Sequence, residues 1–138
     1  MCDNSATMSR LEKLSAEIVQ RRRCQAALER IFKHFQNRYF TGAAFTAHFD
    51  ELRLRSTDRK EFIEAALRGE KSDYESQILA LLFILARIHN NLFRGPKSLD
   101  MINSLASVLH AASLALATLI EAHGRHFKRE RYTEELPV

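Results

Sequence analysis

A chain of 138 residues, 46% of them hydrophobic and 28% charged, is long enough for one domain with its own core and too short for two. This composition excludes an intrinsically disordered chain, and the scarcity of turn residues, four glycines and two prolines, argues against an all-β domain. The net charge of +4 permits nucleic acid or an acidic protein as a partner, although a solvated basic face is the commoner reason for such an excess.

The first predicted helix is long and basic and spans about residues 9–40. Ser9 and Glu12 have the spacing of a capping box, and residues 1–8 before them are expected to be disordered. Apolar residues follow at helical spacing and form a stripe in each half of the helix. The two stripes point in directions that differ by roughly 80° around the helix axis. Arg21–Arg23 fill the gap between the two stripes. The mismatch predicts either a kink there or an N-terminal part that leaves the body of the domain.

Two short helices are expected next, and two hydrophobic helices then form the predicted centre of the domain. The first hydrophobic helix, about 73–94, has apolar residues on all sides, which is typical of a buried helix. The second covers about 98–122. The sequence therefore predicts an all-α, single-domain bundle of about five helices over residues 9–123, followed by a polar, flexible tail at 124–138.

The last helix carries a row of apolar residues suited to packing along another helix. Its members are spaced alternately by three and four residues, as in a coiled coil. They are Ile102, Leu105, Leu109, Ala112, Leu116 and Leu119. We refer to them as the seam, and we expect it to pack inside the bundle or to form the interface of a homo-oligomer.

The candidate surface for nucleic acid or an acidic partner is the basic face of the first helix. It consists of Arg21, Arg22, Arg23, Arg30, Lys33, His34 and Arg38. Five of these, from Arg22 to His34, fall within an arc of roughly 120° at helical pitch, an arrangement that can follow a row of phosphates. No helix-turn-helix, zinc-finger or RNP-type motif accompanies them, so the reading of base sequence is not indicated. The alternative is a face that is only solvated.

A membrane span and a secreted location are both disfavoured by the sequence. Residues 101–120 contain no Asp, Glu, Lys or Arg and have the length of a transmembrane helix, but six of the twenty are polar and alanine dominates the rest.

Cys2 and Cys24 have no partner cysteine or histidine at metal-ligand spacing, and the first residues lack the pattern of a signal peptide. We therefore expect a cytoplasmic protein without a membrane-spanning helix.

No catalytic, metal-binding or cofactor-binding pattern is recognisable. His123 and His126 are three residues apart, but Gly124 lies between them and no further ligands are at suitable spacing. A nucleophile elbow, a catalytic triad and a phosphate-binding loop are likewise not indicated. The sequence predicts a protein that is not an enzyme, with no cofactor and no metal.

The leading hypothesis is a non-enzymatic protein-binding module, namely an adaptor, regulator or inhibitor that docks through helix faces and forms a homo-oligomer. The seam and the misaligned stripe of the first helix motivate it, because together they offer more apolar surface than a small bundle easily hides. The alternative hypothesis is DNA or RNA binding without sequence specificity through the basic face.

Overall fold

The structure, a computed structural model, describes residues 4–94 and 99–124, which form six α-helices and no strand. The helices are α1 (Asn4–Arg21), α2 (Gln25–Tyr39), α3 (Ala47–Glu51), α4 (Lys60–Leu67), α5 (Tyr74–Arg94) and α6 (Leu99–His123). A 3-10 turn, Ser56–Asp58, precedes α4. The predicted all-α bundle is confirmed. Within the described ranges, none of the helices combines the length and the apolar character needed to cross a membrane.

The long basic helix predicted for residues 9–40 is two helices, α1 and α2, separated by a turn at 22–24. Arg22 and Cys24 adopt φ angles of +53° and +60°, in the left-handed region that residues other than glycine seldom occupy. A chain in this conformation cannot continue a right-handed helix. The described residues therefore form six helices rather than about five, and the mismatch between the two apolar stripes coincides with the break.

Helix α1 belongs to the body of the bundle and does not leave it. It packs along α5, and its side chain Ile18 is fully buried. It also begins at Asn4 rather than at Ser9, and Met8 is buried in the core. The expectation of disorder for residues 1–8 is therefore wrong for 4–8. Residues 1–3, and the tail at 125–138 that we expected to be flexible, lie outside the described residues.

Helix α5 is the centre of the bundle. It contacts α1, α2, α4 and α6, and its buried apolar side chains point in several directions. They are Ile78, Ala80, Leu81, Leu82, Phe83, Ile84 and Ile88. Its bounds agree with the prediction to within one residue at its start, and its central position is the one expected of a helix that is apolar on all sides.

Helix α6 differs from the prediction of a second central helix. It packs on α1, α2 and α5 through one face, which includes Val108, Ala115, Leu119 and Ala122. Its opposite face is exposed, including several large apolar side chains. The periodicity of an apolar helix does not show which of its sides the rest of the fold covers. For this reason, the sequence predicted that α6 is more buried than it is.

A buried ionic contact holds the segment between α3 and α4 against α5. The Nε of Arg87 on α5 donates a hydrogen bond of 2.8 Å to the carbonyl of Leu52, and the amide of Asn91 donates to the same oxygen at 3.1 Å. The Nη1 of Arg87 lies 3.8 Å from a carboxylate oxygen of Asp58, and both side chains are buried. Arg87 thus fixes this segment to the central helix.

Candidate interaction surface

The exposed side of α6 is nearly free of charge and rich in apolar side chains. Leu114 and Leu116 are each 55% exposed, and Ile120 is 49% exposed. Among the positions of α6 whose side chains the structure describes, the exposed ones are Asn103, Ala106, His110, Ser113, Leu114, Leu116, Ala117, Ile120 and Glu121. Only Glu121 in that set carries a formal charge. We call this set the outward face of α6.

The outward face has two sides, because residues on a helix are separated by about 100° per position. Leu116 and Ile120 are four residues apart and lie together on one side of it. Leu114 lies on the other side, where it borders α2. Isolated exposed leucines are ordinary on protein surfaces, but three of the four exposed large apolar side chains among the described residues lie on α6.

A groove of about 430 Å³ lies between α2 and α6 on the side of Leu114. Ala27 and Ile31 from α2 and Ala111 and Leu114 from α6 supply apolar lining. Thr118 also lines the groove, and its hydroxyl donates a 2.8 Å hydrogen bond to the carbonyl of Leu114 within the helix. The hydroxyl is therefore satisfied internally, and the surface offered at this position is largely apolar.

Three basic side chains border the same groove. Arg30 and His34 come from α2, one helical turn apart, and His110 comes from α6. All three residues are exposed. None of the residues that line the groove is acidic. Two elements about eighty positions apart in the chain thus bring together an apolar surface, one arginine and two histidines.

A polar contact links the end of α1 to the end of α6. The Nε2 of His123 lies 2.6 Å from a carboxylate oxygen of Glu17, and the guanidinium of Arg21 donates to the carbonyl oxygen of His123. The hydrogen bond from His123 lowers the pKa of Glu17 below its usual value, and desolvation opposes this shift in part. The cation of Arg21 also lies at the negative end of the α6 dipole, where a positive charge is favourable.

The predicted basic face is distributed over several places. Arg30 and His34 border the groove, whereas Arg21 binds the end of α6. Arg38 has its Nη2 3.5 Å from the Nδ1 of His48, and its guanidinium carbon lies 6.0 Å from the centre of the adjacent Tyr39 ring. The predicted arc assumed one continuous helix. Because the chain breaks between α1 and α2, the residues before and after the break do not share one helix face.

The remaining members of the basic face lie near the break or point to solvent. Arg22, Arg23 and Lys33 are exposed. The Nη1 of Arg23 would be 3.6 Å from a Cβ atom placed on Gly124, so Arg23 accompanies Arg21 at the end of α6. The turn at 22–24 therefore has a structural role that the sequence did not indicate.

The seam of α6 is divided between the core and the surface. Leu119 is buried, Ala112 is partly buried and packs against the core, and Leu116 is more than half exposed. Leu109 is intermediate. The side chains of Ile102 and Leu105 are outside those that the structure describes. The seam thus contributes both to the packing of the bundle and to the outward face.

The sequence reasoning missed Leu114, Ile120 and the Glu17–His123 contact. Leu114 and Ile120 do not belong to the seam. The sequence indicated their exposure only indirectly, since α6 has more apolar positions than one helix face can hold. Glu17 and His123 are far apart in the chain, so no local pattern connects them. Among residues 4–94 and 99–124, no cluster of three or more His, Cys, Asp or Glu side chains is arranged to hold a metal ion.

No family model, curated protein or solved structure matches this chain.

Proposed function

We propose that this protein is a non-enzymatic helical binding module, an adaptor, regulator or inhibitor, that associates with other protein chains through the outward face of α6. The observation that carries the proposal is the exposure of Leu114, Leu116 and Ile120 on a helix whose outward face is nearly uncharged. Covering these half-exposed side chains would contribute ~1 kcal/mol each, because complete burial of such a side chain contributes about 1.5–3 kcal/mol. Three side chains on one helix can therefore favour association.

A homo-oligomer is part of the proposal. The outward face includes the small residues Ala106, Ser113 and Ala117, which permit close approach of a second helix beside the larger Leu116 and Ile120. A free thiol at the partly buried Cys24 is compatible with the reducing cytoplasm, the location that we propose.

The test compares the parent with a Leu116→Ser/Ile120→Ser variant and with a Leu92→Ser control. Leu92 is an apolar residue of α5 that is 44% exposed, so the control removes one exposed apolar side chain elsewhere. We expect sedimentation velocity at micromolar concentration to give a species larger than the 15.9 kDa monomer for the parent and the control, and a smaller average mass for the double variant. A monomer in every case removes the homo-oligomer from the proposal.

Binding to other proteins is tested by affinity capture from nuclease-treated host lysate. We expect a defined set of proteins to be captured by the parent and by Leu92→Ser, and to be lost with Leu116→Ser/Ile120→Ser. Circular dichroism would verify that all three chains are equally helical. If the double variant captures the same proteins as the parent, the outward face is not the binding surface.

Nucleic-acid binding without sequence specificity is the alternative proposal, and it has less support. Arg21 and Arg38 are engaged in contacts within the protein, and the break after α1 takes Arg22 and Arg23 out of register with Arg30. Nucleic acid that co-purifies with the protein and is released by moderate salt would favour this alternative, since phosphate contacts weaken steeply with salt.

A further inference from the structure

We propose that the groove between α2 and α6 receives an acidic amphipathic helix of a protein partner, with an apolar anchor that contacts Leu114 above the buried Ile31 and carboxylates at Arg30, His34 and His110. This inference rests on the proposed function, because it assumes that the protein binds other proteins. It adds the chemistry of the partner, and it extends the binding surface from the outward face, to which His110 and Leu114 belong, across to α2.

The length of the groove fits two turns of an incoming helix. Its lining extends from Ala27 to His34 on α2 and from His110 to Thr118 on α6. At a rise of 1.5 Å per residue these segments are about 11 Å and about 12 Å long. A docked helix presents apolar residues at positions i, i+3 or i+4, and i+7, which cover the same distance.

The two helices that line the groove run in opposite directions. Arg21, four positions before the start of α2, reaches the carbonyl of His123 at the end of α6. The first turn of α2 therefore lies near the last turn of α6, and the two helices run in opposite directions. Ala27 and Thr118 mark one end of the groove, and His34 and His110 mark the other.

The charge around the groove selects for an acidic partner. Arg30 offers a guanidinium that can bind a carboxylate through two hydrogen bonds. Glu29, the neighbouring acid on α2, does not line the groove. Glu121 of α6 lies beyond Thr118 and is not part of the lining. An acidic helix would thus meet positive charge without an acid in the lining to oppose it.

The exposure of the lining favours a helix over an enclosed small molecule. Leu114 is 55% exposed, and Arg30, His34 and His110 are exposed as well. A small-molecule site normally encloses most of its ligand, whereas four of the eight residues that line this groove are exposed. An open apolar channel with charged borders is the arrangement in which amphipathic helices dock.

The test uses random 16-residue peptides displayed on phage and selected against the immobilised full chain. We expect the recovered peptides to combine apolar residues at helical spacing with a net negative charge. The best peptide, synthesised with a fluorescent label, should lose about tenfold or more in affinity for an Arg30→Glu variant, measured by fluorescence anisotropy. An Arg10→Glu variant is the matched control, because it makes the same change in charge at an exposed residue of α1.

A charge exchange distinguishes recognition from a structural effect. A peptide whose acids are replaced by lysine should not bind the parent, and it should bind Arg30→Glu more tightly than it binds the parent. Leu114→Asp should abolish the binding of the acidic peptide, whereas Leu116→Ser/Ile120→Ser should retain it. This last variant separates the two proposals, since Leu116 and Ile120 belong to the outward face and do not line the groove.

Several outcomes overturn the inference. They are a selection that returns no peptides, peptides that are neutral or basic, and an affinity that is the same for the parent and for Arg30→Glu. If the captured lysate proteins are nevertheless lost with Leu116→Ser/Ile120→Ser, the proposed function of the outward face is supported. In that case only the proposal for the groove is rejected. A fluorescent fatty-acid anion that binds in an Arg30-dependent manner while no acidic peptide is recovered would assign the groove to a small amphipathic carboxylate instead.

Discussion

The guanidinium of Arg21, the last residue of α1, donates a hydrogen bond to the main-chain carbonyl of His123, the last residue of α6. The final carbonyls of a helix have no partner within it. Arg21 satisfies one of them and places a positive charge at the negative end of the helix dipole. The break of the N-terminal helix directly after Arg21 thus coincides with a contact that fastens two ends of the bundle.

Gly124→Ala should disrupt this contact. Gly124 has a φ of +87°, and a Cβ there would lie 2.6 Å from the Nη1 of Arg21, so the guanidinium must move away. We expect a loss of about 1–2 kcal/mol from the left-handed backbone and about 1 kcal/mol more from the displaced hydrogen bond and dipole interaction. Urea unfolding followed by circular dichroism measures the loss.

Gly69→Ala is the matched control for that prediction. Gly69 follows α4 with a φ of +86°, and a Cβ there would have no atom within 4 Å. It should lose only the backbone contribution. In an Arg21→Ala background, Gly124→Ala should cost no more than Gly69→Ala, because the displaced partner is already gone. Equal losses for the two glycine variants in the parent would show that Arg21 does not stabilise the end of α6.

Asp58→Asn should destabilise the segment between α3 and α4. Asp58 accepts a hydrogen bond from the main-chain nitrogen of Arg55 at 2.9 Å and faces the buried guanidinium of Arg87. The asparagine keeps an acceptor but removes the charge, which leaves Arg87 without this counter-charge. Breaking a buried ion pair costs roughly 3 kcal/mol. Chemical denaturation would measure the change in the free energy of unfolding.

Asp50→Asn provides the comparison for Asp58→Asn. Asp50 is an exposed residue of the short helix α3, and its replacement should change stability by less than about 0.5 kcal/mol. Combining Asp58→Asn with Arg87→Met should recover part of the lost stability, because it removes the uncompensated charge. A loss for Asp58→Asn as small as that for Asp50→Asn would mean that the pair does not hold the segment.

Tyr39 should make the protein less stable at high pH. Burial raises the pKa of its phenol from 10 to about 12, against an opposing effect of Arg38. The folded state therefore favours the neutral phenol, while the unfolded state releases the proton from about pH 10. Stability is little affected below pH 10, falls by ~2 kcal/mol by pH 12 and falls by up to ~3 kcal/mol above it, at about 1.4 kcal/mol per unit of pKa.

Absorbance at 295 nm and denaturation at several pH values would check the role of Tyr39. The parent should show a phenol that ionises near pH 12, and Tyr39→Phe should lack it. The variant should also lose less stability than the parent between pH 10 and pH 12. The contrary result is a parent and variant whose stabilities decline in parallel over this range.

The elements with strong apolar patterns could be predicted from the sequence. The bounds expected for α5 and α6, about 73–94 and 98–122, differ by one residue from those in the structure. The break between α1 and α2 was indicated by the angle between the apolar stripes of residues before and after Arg21–Arg23. Its cause, left-handed backbone at Arg22 and Cys24, could not be predicted, because neither residue type favours that conformation.

The candidate surfaces could be predicted only in part. Arg30 and His34 were expected on a binding face, and Leu116 on a helix-packing one, but their neighbours come from tertiary structure. His110 and Leu114 become groove residues only because α6 lies beside α2. Helix α6 is apolar on several sides, so its periodicity does not reveal which side the bundle leaves open. Binding surfaces that join distant helices have no local pattern.

Glu17→Gln should weaken the link between α1 and α6 at neutral pH and have less effect in acid. The hydrogen bond from His123 lowers the pKa of Glu17 below 4.5 in the folded state. A lowered pKa stabilises the fold above the unfolded value of about 4.5, and this contribution is lost as the pH falls through the folded value. The midpoint of thermal unfolding should therefore differ between parent and variant at pH 6–7, and the difference should shrink below pH 4.5.

The same comparison in a His123→Gln background tests whether the pair is responsible. His123 provides the largest of the effects on Glu17, a hydrogen bond over 2.6 Å. Without it, Glu17→Gln should produce a much smaller difference at neutral pH and little change in that difference on acidification. The bond from Arg21 uses the main-chain carbonyl of residue 123 and so survives both substitutions. A difference that persists unchanged in the His123→Gln background would assign the effect of Glu17 to the neighbouring cations Lys13 and Arg21 instead.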